Sequence, residues 1–446
     1  MSTSSNRIRQ RDRDAILQSL KAGVVPRRGL HHIQVGRAEE VKALVRDTDR
    51  IGDGGAAVRF VIGEYGSGKT FLLQLVRSAA LEKNLVTMHA DLAPDRRLKS
   101  SQGQARALYA ELAKNLATRS KPKGGAMKSV VERFVGSARQ EAKQSDRDTA
   151  EVIDERLDDL KEMFGGYAFA QVIGAYWKGY QSGDAALKGS AIRWLRGEYT
   201  TKTDARKDLG TRRYIDDDSV YDYLKLFARF VRQAGYDGLL VVLDEMVNLY
   251  RINHTVARQG NYEQILRIVN DCLQGTVEHL GFMMGGTPEF LTDTRRGLYS
   301  YEALRSRLEE NTFADEDYRD LTGPVIRLSS LTPEELYVLL QKLRHVHAGG
   351  EESKYIVPDE ALEAFMQHCA DQVGDQYYRT PRKTVKTFVQ LLSILGQNPD
   401  LHWRELLDDV NIDADRRDPN LEPVEASGSA GEDTADDDDE LSSFNL

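Results

Sequence analysis

Cysteine is almost absent from this chain of 446 residues: Cys272 and Cys369 are the whole complement. A disulfide framework is therefore excluded, and the two lack the spacing of a zinc site. Long apolar runs are missing as well. Crossing a bilayer takes about 18–20 consecutive apolar residues, and the longest candidate, Leu239–Leu243, is strand-sized. The opening residues, MSTSSNRIRQRDRD, contain no apolar core of the kind a secretory leader needs. Collagen-like periodicity and fixed-length repeats are lacking too. These absences argue against membrane, secreted and fibrous classes and predict a cytoplasmic chain. What remains is an ordinary globular composition, 40 % hydrophobic and 29 % charged, of a length that suggests two or three units.

The formal net charge of −9 is unevenly placed. From Glu425 to Glu440 there are eight acids and no base, so the rest of the chain is close to neutral. Global repulsion does not exclude nucleic acid, and a local basic face is compatible with the remainder.

The most informative stretch is Val58–Thr70, VRFVIGEYGSGKT. An apolar strand-like run leads into Gly63, Glu64, Tyr65, Gly66, Ser67, Gly68, Lys69 and Thr70, and helical periodicity resumes from Phe71. Strand, glycine loop and helix in that order are what a P-loop requires. Backbone N–H groups of such a loop turn inward around phosphates, and the helix N-terminus adds positive potential. Lys69 is expected to reach the β- and γ-phosphates, and Thr70 to give a hydroxyl to Mg²⁺.

Further strands are predicted at Asn84–Asp91, Gly238–Leu243, Gly281–Gly286 and Val325–Leu328. The strand at Gly238–Leu243 is followed at once by Asp244 and Glu245. Downstream of a P-loop, this pair reads as an acid holding the Mg²⁺ shell and a second acid orienting or deprotonating water. Between the strands at Asn84–Asp91 and Gly238–Leu243, residues 95–235 are helical in pattern, in runs from Gln104, Glu155, Tyr167 and Ser219, punctuated at Gly124–Gly125, Gly165–Gly166 and Gly189. Thr332-Pro333-Glu334-Glu335 predicts a capped helix start. The expected architecture is α/β: a five-stranded parallel sheet with a large helical insertion and a C-terminal helical lid. The divisions are an N-terminal arm (1–28), a nucleotide-binding domain (29–330), a lid (331–410) and an acidic tail (411–446). The tail ends in an apolar tip containing Leu441, Phe444 and Leu446.

With these motifs in hand, the chain resembles the AAA+/ASCE P-loop ATPases. More closely, it is similar to the BrxD-type ATP-binding proteins of BREX phage-defence systems. The resemblance is carried by GLHHIQVGRAEEVKAL from Gly29, FVIGEYGSGKTFLLQLVR from Phe60, ADLAPDRRL from Ala90 and VVLDEMVNLY from Val241. GTPEF from Gly286, YEALRSRLEE from Tyr301 and RTPRKTVKTFVQLL from Arg379 complete it. It implies ATP and Mg²⁺ as ligands. It implies that Gly36 and Arg37 lie in a segment packing on adenine, and that Thr287 is a polar residue facing the γ-phosphate or attacking water. Arg305 and Arg307 match an arginine-finger region that reaches into a neighbouring subunit; the alternative is a solvated helix face paired with Glu309 and Glu310. Arg382 matches a lid arginine, with Arg379 and Lys383 as competitors.

A finger in trans implies a homo-oligomer, a hexamer first among the options. DNA and other defence proteins (a helicase, methyltransferase or nuclease) are the implied partners, the latter through the acidic tail, with no membrane. Basic and aromatic residues in Ala191–Arg213 offer a DNA-facing element, in which Trp194 and Tyr199 stack on bases or pack in the insertion's core. Two functions follow. One is an oligomeric Mg²⁺-dependent ATPase coupled to DNA engagement or to remodelling of a defence complex. The other is a nucleotide-gated scaffold that recruits a helicase or nuclease with little turnover.

Overall fold

The computed structural model describes residues 7–313 and 319–407. Five strands form one parallel sheet: β1 (Ala56–Ile62), β2 (Val86–Asp91), β3 (Leu239–Asp244), β4 (Leu280–Gly286) and β5 (Val325–Arg327), in the order β2-β3-β4-β1-β5. All five match predicted strands to within a few residues at their ends. Every residue of β1, β3 and β4 is buried, as expected of parallel strands covered on both faces. Alternation sorts them into two cores. Val58, Phe60 and Ile62 face one side with Val241 and Leu243. Ala57 and Val61 face the other with Leu240 and Val242, against helices Ala38–Gly52 and Lys69–Glu82.

The register puts the sheet's functional edge together. Asp91 at the end of β2 pairs with Asp244 at the end of β3, and Ile62 with Gly286. In an open parallel sheet, that carboxyl edge is where ligands bind.

Residues between β2 and β3 form a helical body built on an aromatic cluster. Phe169 lies edge-on to Phe230 and Trp194, and Trp194 edge-on to Tyr223. Trp194 and Tyr199 are therefore core residues, 1 % and 2 % exposed, and are unavailable for stacking on bases. Three details differ from the pattern. Gly189 does not punctuate; it lies inside helix Ala185–Leu195, where a Cβ would meet nothing within 4 Å, and the neighbouring helix formers carry it through. The run from Glu155 is two short helices meeting at Leu157. Helix Met127–Ser145, 19 residues long, has no counterpart in the predicted patterns.

The C-terminal helices Pro333–His347, Asp359–Val373 and Arg382–Gln397 make a third core. The expected capping box is present: Glu335 N donates to Thr332 Oγ1 and Thr332 N to Glu335 Oε2. The N-terminal helix Gln10–Lys21 packs into this same core through Ile16, so both ends of the described chain meet on one flank of the sheet. The acidic tail lies outside the described residues. Among those residues, no helix is long and apolar enough to cross a membrane.

One polar contact ties β1 to its neighbouring helix. Arg59 is buried against Asp47, Nη2 to Oδ1 being 3.1 Å, and it also donates to the Gly323 carbonyl. Removing the acid would leave a guanidinium buried without its counter-charge. Asp47→Ala is expected to cost about 3–5 kcal/mol in a urea titration; a loss below about 1 kcal/mol, the range of exposed pairs, would show that Arg59 is easily satisfied elsewhere.

Candidate functional site

The loop after β1 runs straight into helix Lys69–Glu82, and its glycines are needed for distinct reasons. Gly68 caps that helix at φ 85°, a left-handed conformation that favours glycine. A Cβ there would also lie 2.9 Å from the Arg37 guanidinium. At Gly63, a Cβ would come within 2.6 Å of Ser67 Oγ. The result is a tight cradle of backbone facing a cavity of about 500 Å³. Tyr65, Gly66, Ser67, Gly68, Lys69, Thr70 and Phe71 all line it. Ser67 Oγ is buried and has no hydrogen-bond partner among the described residues. An orphaned hydroxyl in a cradle of glycines fits an anionic ligand such as a phosphate.

Lys69 Nζ donates to the carbonyls of Gly63 at 2.7 Å and Glu64 at 2.9 Å. Burial lowers its pKa, and the charges of Asp244 and Glu245 act in the opposite direction. Thr70 Oγ1 donates to Asp244 Oδ2 at 2.6 Å, which joins the loop to β3. Gly285 leaves room for that carboxylate: a Cβ there would sit 2.3 Å from Asp244 Oδ1. Glu245 turns off the strand at φ 56°, unusual for a side chain of its size, with its N–H on Asp244 Oδ1 at 2.9 Å. Burial and then the Asp244 charge push its carboxyl above the usual range.

Asp91, which sequence patterns did not single out, lines the same cavity. Burial first, and then Asp244, raise its pKa. Its signal was positional: it ends a strand whose neighbour ends in Asp244. Among the described residues, no three acids, histidines or cysteines are grouped to hold a metal unaided. Thr70 with Asp244 nevertheless suits Mg²⁺, which takes one or two protein oxygens and completes its shell with water and phosphate.

The remaining predicted residues divide. Arg37 lines the cavity and staples three segments, donating to the Ser67 carbonyl and to Ser329 O at 3.0 Å. Gly36 is not a lining residue; it is pressed against Glu335, whose Oε1 a Cβ would meet at 2.2 Å. Gly63 and Glu64 also lie off the wall, as acceptors for Lys69. Thr287 lines the cavity, and its hydroxyl caps helix Pro288–Thr292. Arg382 closes the far side, its Nε 2.7 Å from the Gly23 carbonyl. Arg305 and Arg307 are absent from the wall. Arg305 pairs with Glu309 at 2.9 Å, while Arg307 donates to Asn270 and, at 2.7 Å, to Ala303 O.

The cavity also has apolar lining: Leu20, Val24, Val25 and Pro26 of the N-terminal segment with Ile33, Val35, Leu339 and Val385. Residues 1–28 read as an arm in sequence, where the apolar VVP step is the one sign of this wall. A phosphate cradle and an apolar lining in one cavity are what a nucleotide requires.

The family description "BREX system ATP-binding protein BrxC/D" matches residues 8–411. None of the curated proteins matches the chain. A match across nearly all of the described structure, the cavity included, settles the family: the chain belongs to the BREX system ATP-binding proteins BrxC/D.

Proposed function

We propose that the protein is a Mg²⁺-dependent ATPase of the AAA+ class. It would act as an oligomer in phage defence and couple turnover to DNA engagement or to remodelling of a defence complex. One observation carries the reading: Lys69, the Thr70–Asp244 pair and Glu245 meet in one cavity at the carboxyl edge of a parallel sheet. The five-stranded parallel sheet, with C-terminal helices contributing Leu339, Arg382 and Val385 to the cavity, supports the AAA+ assignment.

When bound, MgATP supplies a transferable phosphoryl group and a cation that neutralises its developing charge. The chain's own residues then have separate tasks. Backbone N–H groups of Gly68, Lys69 and Thr70 cradle phosphate oxygens, and Lys69 exchanges its carbonyl partners for them. Thr70 and Asp244 would hold the cation. Glu245 orients a water and accepts its proton. The N-terminal and C-terminal helices enclose the base and exclude bulk solvent.

The scaffold reading uses the same cavity without turnover, and Glu245 facing that cavity favours hydrolysis over it. Phosphate release measured against protein concentration, with and without DNA, separates the two. A rate per chain that rises cooperatively and is stimulated by DNA is expected. A slow rate indifferent to both variables would favour the scaffold.

A further inference from the structure

We propose that one face of the helical insertion, carrying Phe164, Tyr167 and the basic stretch Arg206–Arg213, binds single-stranded nucleic acid. The inference rests on the DNA engagement proposed above and assigns it a surface. With Trp194 and Tyr199 in the core, the aromatic rings open to solvent here are Phe164 and Tyr167, 55 % and 73 % exposed. They flank the Gly165–Gly166 turn, whose backbone is seated hard on the protein. A Cβ at Gly165 would meet the Tyr223 hydroxyl at 2.6 Å, and one at Gly166 would overlap the Leu160 carbonyl at 1.6 Å. The turn is thus fixed while the side chains on either side of it stand outward.

The basic stretch joins this turn in space. The Arg213 guanidinium lies 5.1 Å from the Phe164 ring centroid. Gln171, one turn beyond Tyr167, lies against Gly210, 3.4 Å from where its Cβ would be. Trp194 Nε1 donates to Arg213 O at 2.8 Å and holds the loop from below. Arg206, Lys207, Arg212 and Arg213 are all exposed, and none pairs with a carboxylate among the described residues.

Most nearby acids are engaged elsewhere. Lys161 takes Asp154 and Asp158, Lys99 pairs with Asp218, and Asp217 accepts from the Gly103 and Arg106 amides. Asp159 and Glu162 stay exposed close to Phe164 in sequence, and Asp204, on the helix of Arg206 and Lys207, is exposed and accepts from the Thr201 hydroxyl: three acids against four cations. Exposed rings beside unpaired cations offer partners for both the bases and the phosphates of a single strand, and rings stack only on bases not already stacked in a duplex.

Anisotropy of a labelled oligo-dT of about 20 nucleotides, titrated with the full chain across a salt series, tests this. The Phe164→Ala/Tyr167→Ala variant is expected to bind at least tenfold more weakly with an unchanged salt slope, and Phe164→Trp to bind as the parent does. The Arg212→Ala/Arg213→Ala variant is expected to weaken binding and to flatten the slope of log K against log salt by about 1–1.5. A matching duplex should bind less well and ignore the ring substitutions. Parental affinity in the ring variant, at an unchanged melting temperature, overturns the proposal, as does absence of oligo-dT binding by the parent or equal ring-dependence for duplex. None of these residues lines the nucleotide cavity, so MgATP binding in the same variants stays parental. Its failure in the parent would sink the ATPase reading while leaving the strand-binding result to stand or fall separately.

Discussion

Glu245→Gln is expected to lower steady-state ATP hydrolysis by about 10²–10⁴-fold, the usual contribution of a positioned general base, while ATP stays bound. Glutamine keeps the size of the side chain and its ability to orient a water, and takes away only the basic oxygen and one negative charge beside the phosphates. The backbone strain at this residue is held by the Asp244 carboxylate and by Met246 N on Gly285 O at 2.9 Å, so the substitution leaves the turn intact. A pH signature accompanies the loss. Burial and Asp244 raise the Glu245 carboxyl above the ordinary carboxylate range, and a base acts only when ionised. The parent's rate should therefore climb with pH through a value higher than a free glutamate's, and the glutamine variant should lack that limb. Phosphate release across pH, with ATP binding measured in parallel, reads both effects. Undiminished turnover would remove Glu245 from the chemistry.

The second large effect concerns residues that do not touch the cavity of their own chain. If each site is completed by a neighbour, an arginine must be free to leave home. Arg305 is the better placed of the two candidates: it is half-exposed and held by a single ion pair one turn away, worth about 0.3–0.5 kcal/mol on a helix surface. Arg307 is tied to both Asn270 and Ala303. Arg305→Ala is expected to lower turnover about 10³-fold, the low end for an arginine supplied to a phosphoryl transfer, with MgATP affinity nearly unchanged, and Arg307→Ala to do less. Mixing Arg305→Ala with Glu245→Gln chains should restore activity, because some interfaces then hold an intact Glu245 opposite an intact Arg305. Normal turnover in Arg305→Ala, with no recovery on mixing any pair, would contradict a finger in trans.

The sheet was legible because its strands are buried on both faces and therefore read as short apolar runs. The glycine loop and the paired acids were legible because their chemistry requires adjacent residues in a fixed order. Asp91 was not, since its place beside Asp244 comes from strand register, a long-range relation between segments some 150 residues apart. The apolar wall from Leu20 to Pro26 was hidden for the same reason: the N-terminal helix reaches the cavity by packing on helices from the opposite end of the chain. Trp194 and Tyr199 lie among cations in sequence, which leaves base stacking and core packing both open; the helical body buries them and leaves Phe164 and Tyr167 outside. The resemblance puts Gly36 in a segment beside adenine, and in the fold it is a close-packed residue between Val35 and Arg37, which do line the cavity.

The most direct measurement is equilibrium binding of a non-hydrolysable MgATP analogue to the parent and to Lys69→Ala. Saturable binding at one site per chain in the parent, lost in the variant at an unchanged melting temperature, is what the cavity's geometry predicts. Equal affinity in the two proteins would place the nucleotide somewhere other than the loop between β1 and its helix, and would contradict the account at its base.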